Sequence, residues 1–590
     1  MNLTNFLKQT DAITSQYSME QLVDFIHDIG RICPEHCREE FLEMLKSAGN
    51  RADKVFNKNE DKNIDFDETY RRVREHLKSI DSQKVTITAI LNEEYDDWYD
   101  DGSEEFYYED NSGISDMLEE ACDFVHTCMD TERYEKGFEV GNQILTMEIQ
   151  CDNEYGDEEF SIGDMANYEL LNCNLEQVVL DTAYCAYRAV PPSKRSETLY
   201  GIIVNAREDA ITLEAIMQHG DEELPELEEF FPLWITFLGD KAGHDADRLI
   251  LEAVGLLNDV SLEIQYAEKY TSVHPELYLN ILETEKNVST DDMVSIGIKA
   301  MEMIPKRYIM RSRVALKTAE YVIAINGERS LLEKCYFAAF ESDTTALNYL
   351  RALLNSRESE KKREELQKIL MKLPVHKSVD SFSMYVGNYS PSEREENKPN
   401  NNMVLMLRFF DGQFAEVLDK GLNQSKALGW TETFMKQGIA LYLLYLYEGQ
   451  WNGKGVVAMA GIAKSSMEFS AEEYRKGTCG LEGLGENDLF CQLFIKWKSM
   501  VQMESDIRDR ALKRITVLLE KRTAGIMDAN RRNYYGECAA YIAALGEVRE
   551  SMGEPGAKQR LMTSYKDAYP RRSAFREEMR KYGWIDTKRK

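Results

Sequence analysis

Two short stretches place thiols beside an imidazole: Cys33, His36 and Cys37 in ICPEHC, and Cys122, His126 and Cys128 in CDFVHTC. Thiolate and imidazole are zinc ligands, and two such half-sites could complete one tetrahedral centre. Neither has the paired C-x-x-C spacing of a structural zinc site, and cysteine commonly serves as a small core hydrophobe. Asp61, Asn63 and Asp65 match the first three ligand positions of an EF-hand loop, but Phe66 replaces its glycine and Arg72 stands where the bidentate glutamate belongs. Asp97, Asp101 and Gly102 likewise lack a ligand at Tyr99 and at Tyr108. No metal and no cofactor are therefore expected.

Enzyme signatures are missing as well. Gly453-Lys454 has no glycine five residues upstream and is followed by Gly455, so it cannot be a phosphate-cradling P-loop. Gly483-Leu484-Gly485 lacks the third glycine and the preceding strand of a dinucleotide fingerprint. Neither H-E-x-x-H nor G-x-S-x-G occurs, and the chain holds only 8 histidines. A non-enzymatic protein is expected.

What remains is charge and aromatic surface. From Val85 to Glu132 there is no Lys or Arg, while 16 Asp or Glu occur. The densest run, EEYDDWYDDGSEEFYYEDNSG at 93–113, mixes acids with aromatics and could accept a basic partner. Its commonplace alternative is an exposed acidic loop. In the partner-binding reading Trp98, Tyr99, Phe106, Tyr107 and Tyr108 are anchors, while Asp96, Asp97, Asp100 and Asp101 steer. The net charge of −33 opposes general nucleic-acid or anionic-membrane binding. Residues 505–590, however, carry 20 Lys+Arg against 12 Asp+Glu. This basic end is the alternative contact, for nucleic acid, through Arg531, Arg532, Arg571, Arg572, Arg576 and Arg580.

The elements that must position these groups are helices. Few prolines (12) and 43% hydrophobic residues fit helices with short connections. The clearest are DDMVSIGIKAMEMIP, RSRVALKTAEYVIAIN, GERSLLEKCYFAAFESD and TALNYLRALL between 291 and 354, with Ala300 and Ala338 at matching points 38 residues apart. That spacing suits helical hairpins that bury their apolar faces only by stacking. The expected fold is all-α, a tetratricopeptide-like helical-hairpin solenoid in two blocks. Its divisions are N-terminal helices at 1–84, an acidic helical or loop region at 85–164, a repeat array at 165–373, a Pro/Asn/Ser-rich linker or long loop at 374–403, and a helical block at 404–590. In the last block Ala539, Ala540, Ala543 and Ala544 permit close helix approach. Aromatic stretches such as IALYLLYLY are expected to be core.

The order CNLEQVVLDTAYCAYRAVPPSKRSETLYGII, YAEKYTSVHPELYLNIL, INGERSLLEKCYFAAFESDTTALNYLRALL and ESMGEPGAKQRLMTSYKDAYPRRSAFREEMRK resembles the helical-repeat region that follows the zinc finger in bacterial SWIM zinc-finger proteins. The resemblance covers roughly residues 15–584, with AAFESDTTALNYLRALL and YPRRSAFREEM its most specific parts. A SWIM finger needs C-x-C followed by C-x-H, and this chain has neither spacing, so the finger's role does not carry over. The resemblance implies a repeat scaffold without catalytic residues.

No stretch approaches the roughly 20 apolar residues of a membrane span. The polar opening MNLTNFLKQTDAITSQ and irregularly spaced cysteines point to a reducing, cytoplasmic compartment. The function expected is a protein–protein interaction scaffold whose partner is another, basic protein; its oligomeric state stays open.

Overall fold

The computed structural model describes residues 66–91, 106–153, 156–171, 173–206, 211–220, 223–284, 288–373, 396–423, 426–430 and 433–586. The chain divides into two compact units, residues 1–178 and 179–590. Cys33, His36, Cys37, Asp61 to Asp65, and the stretch containing Asp96 to Asp101 lie outside the described residues.

The first unit runs α1 (Phe66–Asp81), β1 (Ile87–Leu91), β2 (Phe106–Glu109), α2 (Ile114–Asp130), α3 (Tyr134–Thr146), β3 (Ile149–Asn153), β4 (Gly156–Phe160) and α4 (Ile162–Asn167). In α1, Val73, Leu77 and Ile80 recur at helical spacing and are buried, whereas its charged residues face outward. The strands form one sheet in the order β2-β1-β3-β4. β1 is antiparallel to β2 and parallel to β3, and β3 is antiparallel to β4. A parallel pair requires a crossover, here the α2–α3 hairpin.

This sheet departs from the helical or loop reading of 85–164. Its strands span only four or five residues, and GDEEF in β4 is made largely of residues depleted in strands. Pairing along the full length of β3, from Ile149↔Phe160 to Asn153↔Gly156, supplies what local propensity does not.

α5 (Leu175–Ala189) carries the division between the units in its first turn. There follow α6 (Pro192–Ala206), α7 (Leu213–His219), α8 (Leu227–Gly239), α9 (His244–Leu256), α10 (Val260–Tyr270), α11 (Glu276–Glu283), α12 (Thr290–Met303), α13 (Ile309–Ala324), α14 (Arg329–Ser342), α15 (Ala346–Leu354) and α16 (Ser359–Leu370). From α6 to α14 the helices pack mainly on those one or two places away in the chain, and the four helices foreseen between 291 and 354 are α12 to α15. Ala300 and Ala338 are both buried.

The remaining helices are α17 (Asn401–Phe410), α18 (Phe414–Gly421), α19 (Met435–Leu446), α20 (Lys454–Ser466), α21 (Ala471–Arg475), α22 (Glu486–Met500), α23 (Ser505–Asp528), α24 (Tyr535–Ser551), α25 (Ala557–Ala568) and α26 (Ser573–Lys581). Their organisation is different, because α24 packs against α19, α20, α23, α25 and α26 at once. Every residue of α24 from Cys538 to Val548 is buried. The segment 374–395 lies outside the described residues, but the helices on either side of it meet. α15 packs on α17, α21 and α22, with the Tyr349 hydroxyl donating to Asp411 Oδ1 (3.1 Å) and Lys496 Nζ to the Leu354 carbonyl (2.9 Å). The protein is thus all-α in its bulk, with one small sheet in the first unit. Among the described residues no helix is long and apolar enough to cross a membrane.

Candidate functional site

Among the described residues, three helix ends meet at one group of ligand-type side chains. His274 sits in the short link between α10 and α11, its backbone N–H bonded to the Tyr270 carbonyl (2.7 Å). Its ring is fully buried. Nε2 lies 3.1 Å from the carbonyl of Leu238 at the end of α8. A carbonyl only accepts, so Nε2 carries a hydrogen and Nδ1 is left facing the carboxylates. Nδ1 is 2.6 Å from Asp247 Oδ1, in the first turn of α9, and 3.4 Å from Glu276 Oε1, the first residue of α11. Oε1 of Glu276 is shielded from solvent, and its contact with Nδ1, at 3.4 Å, is longer than a well-formed hydrogen bond.

Burial opposes a charge on His274, but the bonds to Asp247 and Glu276 outweigh it and raise its pKa to about 9. Burial pushes the Glu276 carboxyl up, partly offset by its hydrogen bond with His274. At neutral pH the ring is therefore an imidazolium held between two acids. Sequence inspection missed this cluster, since Asp247 and His274 lie 27 residues apart and H-P-E is no motif.

A second buried pair, His219 Nε2 to Asp181 Oδ1 at 2.5 Å, joins α7 to α5. A groove lies elsewhere, between α18 and α23. It has a volume of about 320 Å³ and is lined by Leu418, Asp419, Arg510, Lys513, Arg514 and Val517. Arg510 is paired with Asp419 (2.9 Å), and Arg514 Nε donates to the Leu422 carbonyl (3.0 Å). Neither histidine lines that groove.

Comparison with family models, with curated proteins and with solved structures found no match for this chain. Its function must then be argued from its own residues.

Of the acidic-aromatic residues, the described ones are Phe106, Tyr107 and Tyr108, all in β2. Alternation along the strand separates them. Tyr107 is 49% exposed, while Tyr108 turns inward onto Phe160 (ring centroids 4.8 Å apart) and Tyr168 (4.4 Å). β2 is an end strand of the described sheet. Just after it, Asp110 accepts from the backbone N–H of Ile114 (2.9 Å) and Ser115 (2.6 Å), capping α2.

The basic residues fall into a tighter group. Arg572 donates to Asn530 Oδ1 (2.5 Å) and also to the Met527 carbonyl at the end of α23. This joins the loop of Arg531 and Arg532 to that of Arg571 and Arg572. Arg531, Arg532 and Arg571 are exposed. Arg576 follows one helical turn after Arg572, and Arg580 lies 5.8 Å from the Trp584 ring.

The CDFVHTC half-site does not assemble. Cys122 lies 3.4 Å from Cys173, His126 faces Asp130 at 3.8 Å, and burial pushes the Cys128 thiol up to about 12.

Proposed function

We propose that the chain is a non-enzymatic cytoplasmic scaffold that binds another, basic protein. The observation that carries this reading is the edge strand β2, which presents half-exposed Tyr107 directly after the acidic segment 93–105. Aromatic side chains supply anchors, and clustered carboxylates hasten encounter with a cationic partner. Packing of α8 to α14 mainly on helices one or two places away in the chain supports a tetratricopeptide-like array, in line with the resemblance to the helical region of SWIM zinc-finger proteins.

The test is to recover the partner by nuclease-treated affinity capture, then measure its affinity for variants. Removing 93–113 entirely would also delete Asp110, the cap of α2, so deletion of 94–104 and Tyr107→Ala are the cleaner changes. Each should weaken binding at least tenfold with the fold intact by circular dichroism. Unchanged affinity in both sinks the assignment.

A second reading is favoured by the Arg572–Asn530 contact, which gathers the arginines of two loops as a nucleic-acid surface would require. Here Arg531→Glu with Arg571→Glu should lower affinity for RNA or DNA and reduce the slope of log affinity against log salt by about 2. Absence of salt-dependent binding in the unaltered protein eliminates it.

A further inference from the structure

We propose that Asp247, His274 and Glu276 form a binding site for one divalent transition-metal cation of the zinc class. This goes beyond the scaffold reading and rests on none of its residues.

The three candidate ligand atoms, His274 Nδ1 and one oxygen from each carboxylate, lie within 4.8 Å of one another. Ligands held about 2.0–2.2 Å from a tetrahedral cation stand roughly 3.4 Å apart, the separation already present between Nδ1 and Glu276 Oε1. Asp247 Oδ1, at 2.6 Å from Nδ1, must move outward, and the 24% exposure of its side chain leaves room for that rotation. The same side admits water to the remaining coordination position.

Two details distinguish this arrangement from an ordinary ion pair. The first is the Nε2 contact with the Leu238 carbonyl (3.1 Å), because metal-binding imidazoles characteristically donate their other N–H to a carbonyl or carboxylate, which fixes tautomer and ring plane. The second is Glu276 Oε1, a buried acceptor whose contact with Nδ1 is long at 3.4 Å. Buried acceptors are normally satisfied, and a cation between Nδ1 and the carboxylates would satisfy this one. One imidazole nitrogen with two carboxylate oxygens and no thiolate suits zinc, cobalt or manganese rather than copper(I) or an iron–sulfur centre. The cation would take the place of the proton on Nδ1 and clamp the ends of α8, α9 and α11 together.

The experiment is zinc titration of the full chain by calorimetry after chelator treatment, followed by cobalt substitution. One saturable zinc per chain is expected, together with a rise in melting temperature. Asp247→Asn and Glu276→Gln keep side-chain size while removing charge. Each should lose at least the roughly 10-fold in affinity that disturbing even an outer partner of a metal ligand costs. Failure of saturable uptake, or uptake unaffected by both variants, overturns the proposal. Should the variants not fold, X-ray absorption on the zinc-loaded unaltered protein decides. A shell containing one imidazole supports the site, and a shell of oxygens alone refutes it.

Discussion

At the scale of single residues, buried charge is tolerated only where hydrogen bonds surround it. Glu547, on α24, accepts from the backbone N–H of Gly455 (3.2 Å) and Val456 (2.8 Å) and from Lys558 Nζ (2.6 Å). A carboxylate thus occupies the positive end of α20, the place an anionic ligand would take at a helix N-terminus. The Gly453-Lys454 pair that invites a phosphate-loop reading is answered by the chain itself. Glu547→Ala should destabilise the fold by about 3–5 kcal/mol, since it strands Lys558 and uncaps α20; the urea midpoint measures this. Asp411 gives a pH prediction. Burial raises its carboxyl above the ordinary value, against hydrogen bonds from Gln413, Gln367 and Tyr349. The native state holds that proton more tightly than the unfolded chain does. Asp411 therefore lowers stability as pH rises from the ordinary carboxylate value through its raised one. Asp411→Asn should flatten this part of the stability profile, as followed by urea melts across acidic pH.

At the scale of elements, periodicity located helices well and strands poorly. The helices between 291 and 354 announce themselves by apolar spacing and by caps such as Ser289 and Thr345, which accept from Asp292 and Asn348. The strands of the first unit are too short, and β3 and β4 too polar, to carry a period-two signal. Helix–helix approach was legible as small residues but not as particular partners. A Cβ at Gly455 would lie 2.3 Å from the Ala544 nitrogen and 2.7 Å from the Ala543 carbonyl carbon, so α20 and α24 are in backbone contact. Gly455→Ala should cost about 1–3 kcal/mol through overpacking, whereas Gly461→Ala on the same helix meets open space and should be near neutral or stabilising. Thermal melts of the two variants provide the comparison.

At the scale of the whole molecule, the second unit combines neighbour-on-neighbour packing with a centralised end. A helix enclosed by five others opens only when its surroundings do. Within residues 179–590, amides of α24 and of α19, buried at every residue but Lys436, should therefore exchange with solvent most slowly, and those of α16, whose only buried residues are Leu366 and Leu370, much faster. Hydrogen exchange read by mass spectrometry tests this order. The net charge of −33 predicts that association with a basic partner slows as salt rises from about 0.05 to 0.3 M, with dissociation much less affected. Stopped-flow mixing separates the two rates.

The amino-acid sequence by itself determined the helical class, the helices from 291 to 354, the polarity of a basic end on an acidic chain and the lack of known catalytic motifs. These follow from composition and short-range spacing, which act within a few residues. Only tertiary structure decided which distant residues meet: Asp247 with His274 and Glu276, Asn530 with Arg572, and Glu547 with the start of α20. It also decided the sheet, whose β1 finds β3 across the α2–α3 hairpin. Such meetings depend on how helices pack, and packing is set by side-chain shape summed over many contacts rather than by any pattern readable along the chain.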